Sequence, residues 1–228
     1  MSVHPPEVTV RLYDNGEVDD DTISIYRNVM PFGNQPPLPG CFNAAEEFAT
    51  NSNPSGVWSY GYSQTLGGQM VLNNESGNWG GLDFWRTNIW LGVPGIYKNP
   101  SGQTVTNATG TVVLAPGELS LHPGPSGEFC VIRFTAPTNA YYQVTGVFSG
   151  VDTHGTTTDV HLLKNDMSLL DGLVSGYGSG TGPAFNTNLL LQAGDHLDFA
   201  VGRGANNEFS YDSTGIAVQI CATTNVPP

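Results

Sequence analysis

The residues best suited to recognise a ligand are aromatic and lie in one block of the chain. All four tryptophans of the 228-residue sequence fall between positions 58 and 90, among several tyrosines and phenylalanines. Trp58, Tyr60 and Tyr62 are spaced by two, so on a β-strand their rings would project from one face. A flat aromatic strip stacks well on the apolar face of a sugar ring. The block therefore predicts binding of a neutral polysaccharide, through Trp58, Tyr60, Tyr62, Trp79, Trp85 and Trp90.

Core packing is the alternative for each of these rings, because buried tryptophan is ordinary in the core of a β-sandwich. The glycine and asparagine residues around the rings favour loops or an open sheet face for some of them. The two alternatives differ in exposure, since sugar stacking by this block would leave two or more of its rings on one open face.

Acidic residues in two parts of the chain could hold a metal ion. One group follows the turn signal Asp14-Asn15-Gly16, and the other lies in and beyond the stretch GVDTHGTTTDVHLL. Carboxylate oxygens are the ligands that calcium prefers. The histidines of the second stretch lack the spacing of a transition-metal site. The sequence thus predicts calcium as a cofactor. For the first group, a solvated acidic turn without a metal is the alternative. The candidate calcium ligands are Asp14, Asp19, Asp21, Asp152, Asp159 and Asp212.

Catalysis has little support in the sequence. There is no G-x-S-x-G nucleophile motif, and no cysteine has a basic neighbour that would lower its pKa. Glycoside hydrolysis needs two carboxylates facing one sugar, and no spacing pairs the carboxylates of this chain. A binding protein is therefore preferred to an enzyme. A jelly-roll polysaccharide hydrolase or lyase remains an alternative, and it would need a cleft with paired carboxylates.

The charge of the chain narrows the choice of partners. The formal net charge is −13, with only seven lysine and arginine residues. Phosphate recognition depends on clustered basic side chains, so neither nucleic acid nor an anionic membrane is an expected partner. No signal peptide or transmembrane stretch is present, which predicts either a cytosolic protein or, preferably, a mature or excised part of a secreted, extracellular one.

The elements that must position these residues are β-strands. The stretch from Phe129 to Leu163 contains three runs rich in β-branched and aromatic residues, separated by Ala-Pro-Thr-Asn and by a Gly/Asp/Thr cluster. Such runs predict consecutive strands. Similar runs recur along the chain, and no segment of twelve residues has a convincing helical period. We therefore predict an all-β, antiparallel, jelly-roll-like β-sandwich of roughly ten to twelve strands with little helix.

The chain is predicted to have three parts. Residues 1–30 read as a β-hairpin or a fragment of a preceding β repeat, residues 31–41 as a Pro/Gly-rich linker, and residues 42–228 as the β-sandwich domain. A two-stranded unit is only marginally stable in water when it is isolated. Its strands could instead add to the sheet edge of another copy. A structural or self-assembling extracellular protein is therefore the alternative to sugar binding.

The three cysteines leave the disulfide state open. Cys130 and Cys221 both lie in predicted strands and could be neighbours, which would leave Cys41 unpaired in a loop. Two buried, unbonded thiols are the alternative.

Several phrases of the sequence together resemble known modules. NPSGVWSYGY, LHPG, VIRFTAP, GVFSGVDTHGTTTDVHLL, LQAGDHLDFAVG and SYDSTGI, spread over residues 42–220, resemble a recurrent, largely uncharacterised module of large secreted proteins of environmental bacteria. The arrangement is also similar to the jelly-roll sandwiches of carbohydrate-binding modules. Residues 8–28 resemble a D-x-G-x-x-D-G-D-T pattern of secreted bacterial β-sandwich repeats, with Asp20 in place of a glycine. These resemblances imply a secreted sandwich with a ligand on a concave face or at loop tips.

Overall fold

The computed structural model describes residues 13–14, 17–18, 40–90 and 92–223. The chain divides between residues 37 and 38 into two units, which we describe separately. In the first, β1 (Tyr13–Asp14) pairs antiparallel with β2 (Glu17–Val18). The other predicted strands of residues 1–30 lie outside the described residues, so strand addition by this region stays a prediction, as do the predicted domain boundaries.

The described residues contain eighteen strands and no helix. In the second unit the strands are β3 (Cys41–Asn43), β4 (Trp58–Ser63), β5 (Val71–Leu72), β6 (Glu75–Trp79), β7 (Leu82–Trp90), β8 (Val93–Lys98), β9 (Val105–Thr106), β10 (Val113–Leu114), β11 (Leu119–His122), β12 (Phe129–Thr135), β13 (Ala140–Gly150), β14 (Thr156–Lys164), β15 (Met167–Gly176), β16 (Ala184–Leu191), β17 (His196–Gly202) and β18 (Thr214–Thr223). The two-residue strands are too short to leave an alternating pattern, which is why the sequence indicated fewer strands.

The second unit is built from two antiparallel sheets. The eight-stranded sheet has the order β16-β13-β18-β11-β8-β7-β6, and β3 also pairs with β18. The six-stranded sheet has the order β15-β14-β17-β12-β4-β5. The remaining strands, β9 and β10, form a separate hairpin. This arrangement confirms the predicted all-β, antiparallel sandwich.

The sheets pack through the alternate residues of their strands. On β13, Tyr142, Val144 and Phe148 are buried in the main hydrophobic core, and residues between them point to the opposite face. Ile132 and Phe134 of β12 enter the same core from the six-stranded sheet. Each such side chain contributes about 1.5–3 kcal/mol on burial. We call the face of each sheet that points away from this core its outer face.

The three consecutive strands predicted between Phe129 and Leu163 are present as β12, β13 and β14. They do not form one sheet, because β12 and β14 belong to the six-stranded sheet and β13 to the eight-stranded sheet. The chain therefore crosses from one sheet to the other twice within this stretch.

No described helix is long and apolar enough to span a membrane.

The disulfide differs from the predicted pair. Cys41 bonds to Cys221, 180 residues away in sequence. Residue 41 belongs to β3 rather than to a loop, and β3 pairs with β18 in a register that sets the two cysteines opposite each other. Cys130 is on β12 of the other sheet, buried, and its thiol donates to the Gly95 carbonyl. Neither alternative that the sequence left open, a Cys130–Cys221 bond or two unbonded thiols, holds, because strand alternation does not reveal strand partners.

The disulfide closes nearly the whole second unit into one loop, so its loss should be costly. We expect Cys41→Ser to lower the free energy of unfolding by about 2–5 kcal/mol, since the bond restricts the unfolded chain. Denaturant unfolding of the two proteins measures the difference. Alkylation of the unfolded, unreduced wild type should label one thiol, that of Cys130. Labelling of all three thiols before reduction would contradict the pairing.

Candidate functional site

Two of the predicted sugar-binding rings are part of the core. Trp58 and Tyr60 are fully buried on β4, where the Trp58 ring lies 5.4 Å from that of Phe134. The indole N–H of Trp58 donates to the Glu47 carboxylate at 3.0 Å. Both rings face the opposite sheet, so neither can stack on a sugar. Their assignment to a binding surface was wrong, and the core-packing alternative holds.

Among the described side chains, the other predicted rings do not form a strip. Trp85 is also buried, and its indole N–H donates to the carbonyl of Ala49 at 2.7 Å; its assignment was wrong for the same reason. Tyr62 is half-buried. Trp79 is 49% exposed at the end of β6, and the side chain of Trp90 lies outside the described part of the chain. Sugar binding by Tyr62, Trp79 and Trp90 stays a prediction.

Alanine substitution should distinguish the buried ring of Trp58 from the exposed ring of Trp79 by its effect on stability. We expect Trp58→Ala to lower the free energy of unfolding by about 3–5 kcal/mol, because it leaves a large cavity between the sheets. Trp79→Ala should cost under about 1 kcal/mol, since half of that side chain is already in water. Urea unfolding of both variants tests this, and equal losses would contradict the burial of Trp58.

Among the predicted metal ligands, Asp159 has its carboxylate hydrogen-bonded to the ring of His161. The His161 ring lies between two carboxylates, with Nε2 at 2.8 Å from Asp159 Oδ2 and Nδ1 at 2.6 Å from Asp171 Oδ1. Asp159 Oδ1 accepts the Gly204 N–H. Because both ring nitrogens must donate to ionised carboxylates, His161 is an imidazolium. Burial alone would lower the pKa of His161, but the two carboxylates outweigh it and raise that pKa. This arrangement is an ion-pair network around His161, and calcium binding by Asp159 stays a prediction.

The raised pKa of His161 makes stability depend on pH. The folded protein holds this proton more tightly than the unfolded chain, so the stabilisation is complete below about pH 6.5 and is lost as pH rises through the raised pKa. We expect His161→Gln to lower the free energy of unfolding by about 1.5–3 kcal/mol at pH 6. The difference from wild type should shrink toward pH 9. Urea unfolding between pH 6 and 9 measures it, and a pH-independent difference would argue against a charged His161.

Another cluster, which the sequence did not predict, has the spacing of a metal site but already has the Arg133 side chain as its cation. Ligand atoms of Asp166, His196 and Asp198 lie within 4.8 Å of one another. The Arg133 guanidinium binds both oxygens of Asp198, at 2.6 and 2.7 Å, and reaches Asp166 at 3.5 Å. Since Arg133 supplies the positive charge that these carboxylates require, the group is satisfied without a metal.

Two predicted ligands, Asp152 and Asp212, are buried near each other. Asp212 Oδ1 accepts the Thr157 N–H at 3.0 Å and its hydroxyl at 3.2 Å. Burial raises the pKa of Asp212 to about 6, the charges of Asp152 and Asp159 add to the shift, and the bonds from Thr157 oppose it. Of the N-terminal candidates, Asp14 is on β1 and Asp19 and Asp21 lie outside the described residues.

The outer face of the eight-stranded sheet carries a cleft of about 480 Å³. Its floor comes from β13, one wall from the β9–β10 hairpin and the segment before β11, and the other wall from the loop between β15 and β16. The lining residues are Thr104, Val113, Ala115, Glu118, Val147, Ser149, Gly150, Val151, Tyr177, Gly178, Ser179 and Gly180.

Local packing and hydrogen bonds fix both walls. A small hydrophobic cluster of Leu82, Val112, Leu114 and Val151 seats the β9–β10 hairpin on the sheet. On the other side, the Gly178 N–H donates to the Gly150 carbonyl at 2.8 Å. Position 150 requires glycine, because a Cβ there would overlap the carbonyl oxygen of Gly176.

The lining combines an aromatic ring with a carboxylate. Tyr177 is 49% exposed and Val147 36% exposed. Glu118 Oε2 accepts the Ala115 N–H at 2.7 Å, and partial burial raises the pKa of this carboxyl. Glu118 is the single carboxylate among the described lining residues, and none of these residues is basic. The ring offers a stacking surface, and the carboxylate offers hydrogen-bond acceptors for hydroxyl groups.

A row of amide side chains continues from the cleft across the same face. Gln143 pairs directly with Asn188, and Thr145 with both Asn186 and Gln219. Paired residues of adjacent strands share a face. Gln143, Asn186, Asn188 and Gln219 are exposed, so this part of the sheet presents many uncharged donors and acceptors to solvent.

Sequence reasoning missed the cleft. Its segments are far apart in the chain and meet only through the strand order. The one local sequence signal for the cleft is the run Tyr177-Gly178-Ser179-Gly180, whose glycines are typical of an ordinary turn. An exposed aromatic within a glycine-rich turn could have indicated a ligand loop.

No protein-family model matches the chain, and the search of curated proteins gave no match. Solved structures are similar to parts of it. They include a family 35 carbohydrate binding module from an environmental isolate, at 15% identity over 58% of this chain and 96% of that chain, with a TM-score of 0.31. Pika GITRL matches at 15% identity over 42% and 79%, with a TM-score of 0.27.

The Podospora anserina GH26-CBM35 β-(1,4)-mannanase matches at 13% identity over 58% of this chain, with a TM-score of 0.32, and the match spans 28% of that enzyme. At these TM-scores the likenesses carry no argument about function. The resemblance to a module of secreted environmental-bacterial proteins stays a prediction.

Proposed function

We propose that this protein is a non-catalytic carbohydrate-binding module that holds a neutral polysaccharide on the outer face of its eight-stranded sheet. The observation that carries the proposal is the cleft, where half-exposed Tyr177 lies with the carboxylate of Glu118. Its volume is within the range of about 300–1,000 Å³ typical of small-ligand sites. One or a few sugar units fit such a space.

The chemistry of the lining favours a sugar. The Tyr177 ring would stack on the apolar face of a pyranose, and Val147 would extend that contact. Glu118 would accept hydrogen bonds from two sugar hydroxyls, which are stronger than bonds between neutral groups. The hydroxyls of Ser149 and Ser179 add further donors and acceptors.

Charge favours a neutral glycan over an acidic one. The chain carries a net charge of −13, and no lysine or arginine is among the described lining residues. A polyanionic glycan would meet like charge at Glu118 without a basic partner. A neutral glycan meets hydrogen-bonding groups, an aromatic ring and apolar side chains, and it is not repelled by Glu118.

The amide row favours a polymer over a single sugar. Gln143, Asn186, Asn188 and Gln219 extend the polar surface beyond the cleft, along strands that pair in register. Amides donate and accept hydrogen bonds and carry no charge, which suits the successive hydroxyls of a neutral chain. The cleft would hold part of the chain and the amide row its continuation.

Two further features fit the same proposal. Glu118 is the single carboxylate among the described residues that line the cleft, whereas glycoside hydrolysis requires a pair, and this supports binding rather than catalysis. The Cys41–Cys221 disulfide suits an oxidising compartment, which supports an extracellular location.

A glycan-binding assay with two matched variants tests the proposal. Tyr177 and Trp79 are each 49% exposed, but only Tyr177 lines the cleft. We expect wild type to be retained on affinity gels of at least one neutral polysaccharide. Tyr177→Ala should weaken that binding at least about tenfold, equivalent to about 1.4 kcal/mol. Tyr177→Phe, which keeps the ring, and Trp79→Ala should bind nearly as well as wild type.

Two results would contradict the proposal. Loss of binding in Trp79→Ala but not in Tyr177→Ala would move the site to the ring that the sequence predicted. If no neutral polysaccharide retained the wild type, the sugar-binding proposal would fail. A ladder of oligomers in size-exclusion chromatography would then favour self-assembly, for which the edge strand β15 offers the exposed apolar side chains of Met167 and Leu173.

A further inference from the structure

The side chain of Asp212 is buried with one oxygen unused. The residue has 0% exposure, and Oδ1 accepts two hydrogen bonds from Thr157. Oδ2 is buried and has no hydrogen-bond partner. A buried carboxylate oxygen without a partner is costly, and this oxygen is free to bind a ligand.

A second buried carboxylate, that of Asp152, adds negative charge beside Asp212. Asp152 is 1% exposed; its Oδ1 accepts the His154 N–H at 3.0 Å, and its Oδ2 accepts the Thr111 hydroxyl at 3.0 Å. The Thr156 hydroxyl connects the two segments, since it donates to the carbonyl of Ser213, the residue after Asp212, at 2.8 Å and lies 3.5 Å from the Asp152 nitrogen.

Positive charge near this pair is scarce. Within the described part of the chain, neither Asp152 nor Asp212 forms an ion pair with lysine or arginine. Among the described residues, the one basic contact is the His154 ring, whose Nδ1 lies 3.5 Å from Asp152 and whose side chain is 55% exposed. Elsewhere in the fold the buried carboxylate of Asp198 is matched by Arg133. The Asp152–Asp212 pair lacks an equivalent cation.

We propose that Asp212, assisted by the charge of Asp152, binds a divalent cation of the calcium class. The groups that meet in this region are the Asp152 and Asp212 carboxylates, the Ser213 carbonyl and the Thr156 hydroxyl, and hard cations prefer such oxygen ligands. No cysteine is among these groups, so a soft transition metal is disfavoured. The unused oxygen of Asp212 is the central ligand.

The position of the cation would connect it to the cleft. Asp152 forms a bridge with Val112, and the Thr153 N–H donates to the Thr111 carbonyl. These contacts hold the start of β10, which forms one wall of the cleft. A bound cation would therefore stabilise the wall of the cleft that the β9–β10 hairpin forms. The inference does not rest on sugar binding, because the carboxylates define the site whether or not a glycan binds.

Calcium-dependent stability tests the inference with the whole chain. We expect the melting temperature of wild type, measured against chelator, to rise by about 5–10 °C at a calcium concentration 100-fold above the dissociation constant. Asp212→Asn should keep the Thr157 bonds through its amide oxygen and stay folded, yet show no calcium-dependent rise. Asp83→Asn, at a half-buried carboxylate bonded to Asn78, is the matched control and should respond like wild type.

Direct titration keeps the test decisive if Asp212→Asn fails to fold. Isothermal calorimetry of wild type with CaCl2 should show one site, and Asp152→Asn should weaken it at least tenfold. Absence of calcium binding by wild type would overturn the inference, as would equal binding by wild type and a folded Asp212→Asn. Sodium chloride of equal ionic strength should give no rise, and a rise with it would assign the effect to charge screening instead.

Discussion

The burial of one face of each sheet against the other is the constraint on which the rest of the structure depends. Trp58 and Tyr60 of one sheet and Tyr142 and Phe148 of the other fill the space between the sheets. The exclusion of these large rings from water supplies most of the stabilisation. It also removes them from any binding role. Recognition must therefore use the outer faces and the loops that lie on them.

Much of the fold could be predicted because strand alternation is a local property. The runs that became β12, β13 and β14 reveal their strands and their buried faces in the sequence alone. Their partners are not a local property, so the assignment of β13 to the opposite sheet was hidden. The same limit explains the cysteines, since Cys221 meets Cys41 only because β3 occupies the edge of β18 beyond β11.

The site was harder to predict than the fold. The spacing of Trp58 and Tyr60 places their rings on one face, but it cannot tell which face is covered. The cleft joins β13, the β9–β10 hairpin and the turn at Tyr177, which lie far apart in the chain. Among the acidic residues, the sequence marked Asp159 and Asp212 alike. Only the structure separates them, because Asp159 has His161 as a partner and Asp212 retains an unused oxygen.

The most direct test of the account is to map a bound oligosaccharide by amide chemical shifts, using a fragment of whichever neutral polysaccharide retains the protein. The account predicts that the perturbed amides cluster at Val147, Ser149 and residues 177–180, with a smaller group at Gln143 and Asn188. Perturbations confined to the outer face of the six-stranded sheet, around Asp171 and Arg133, would contradict it and would place recognition on the opposite side of the sandwich.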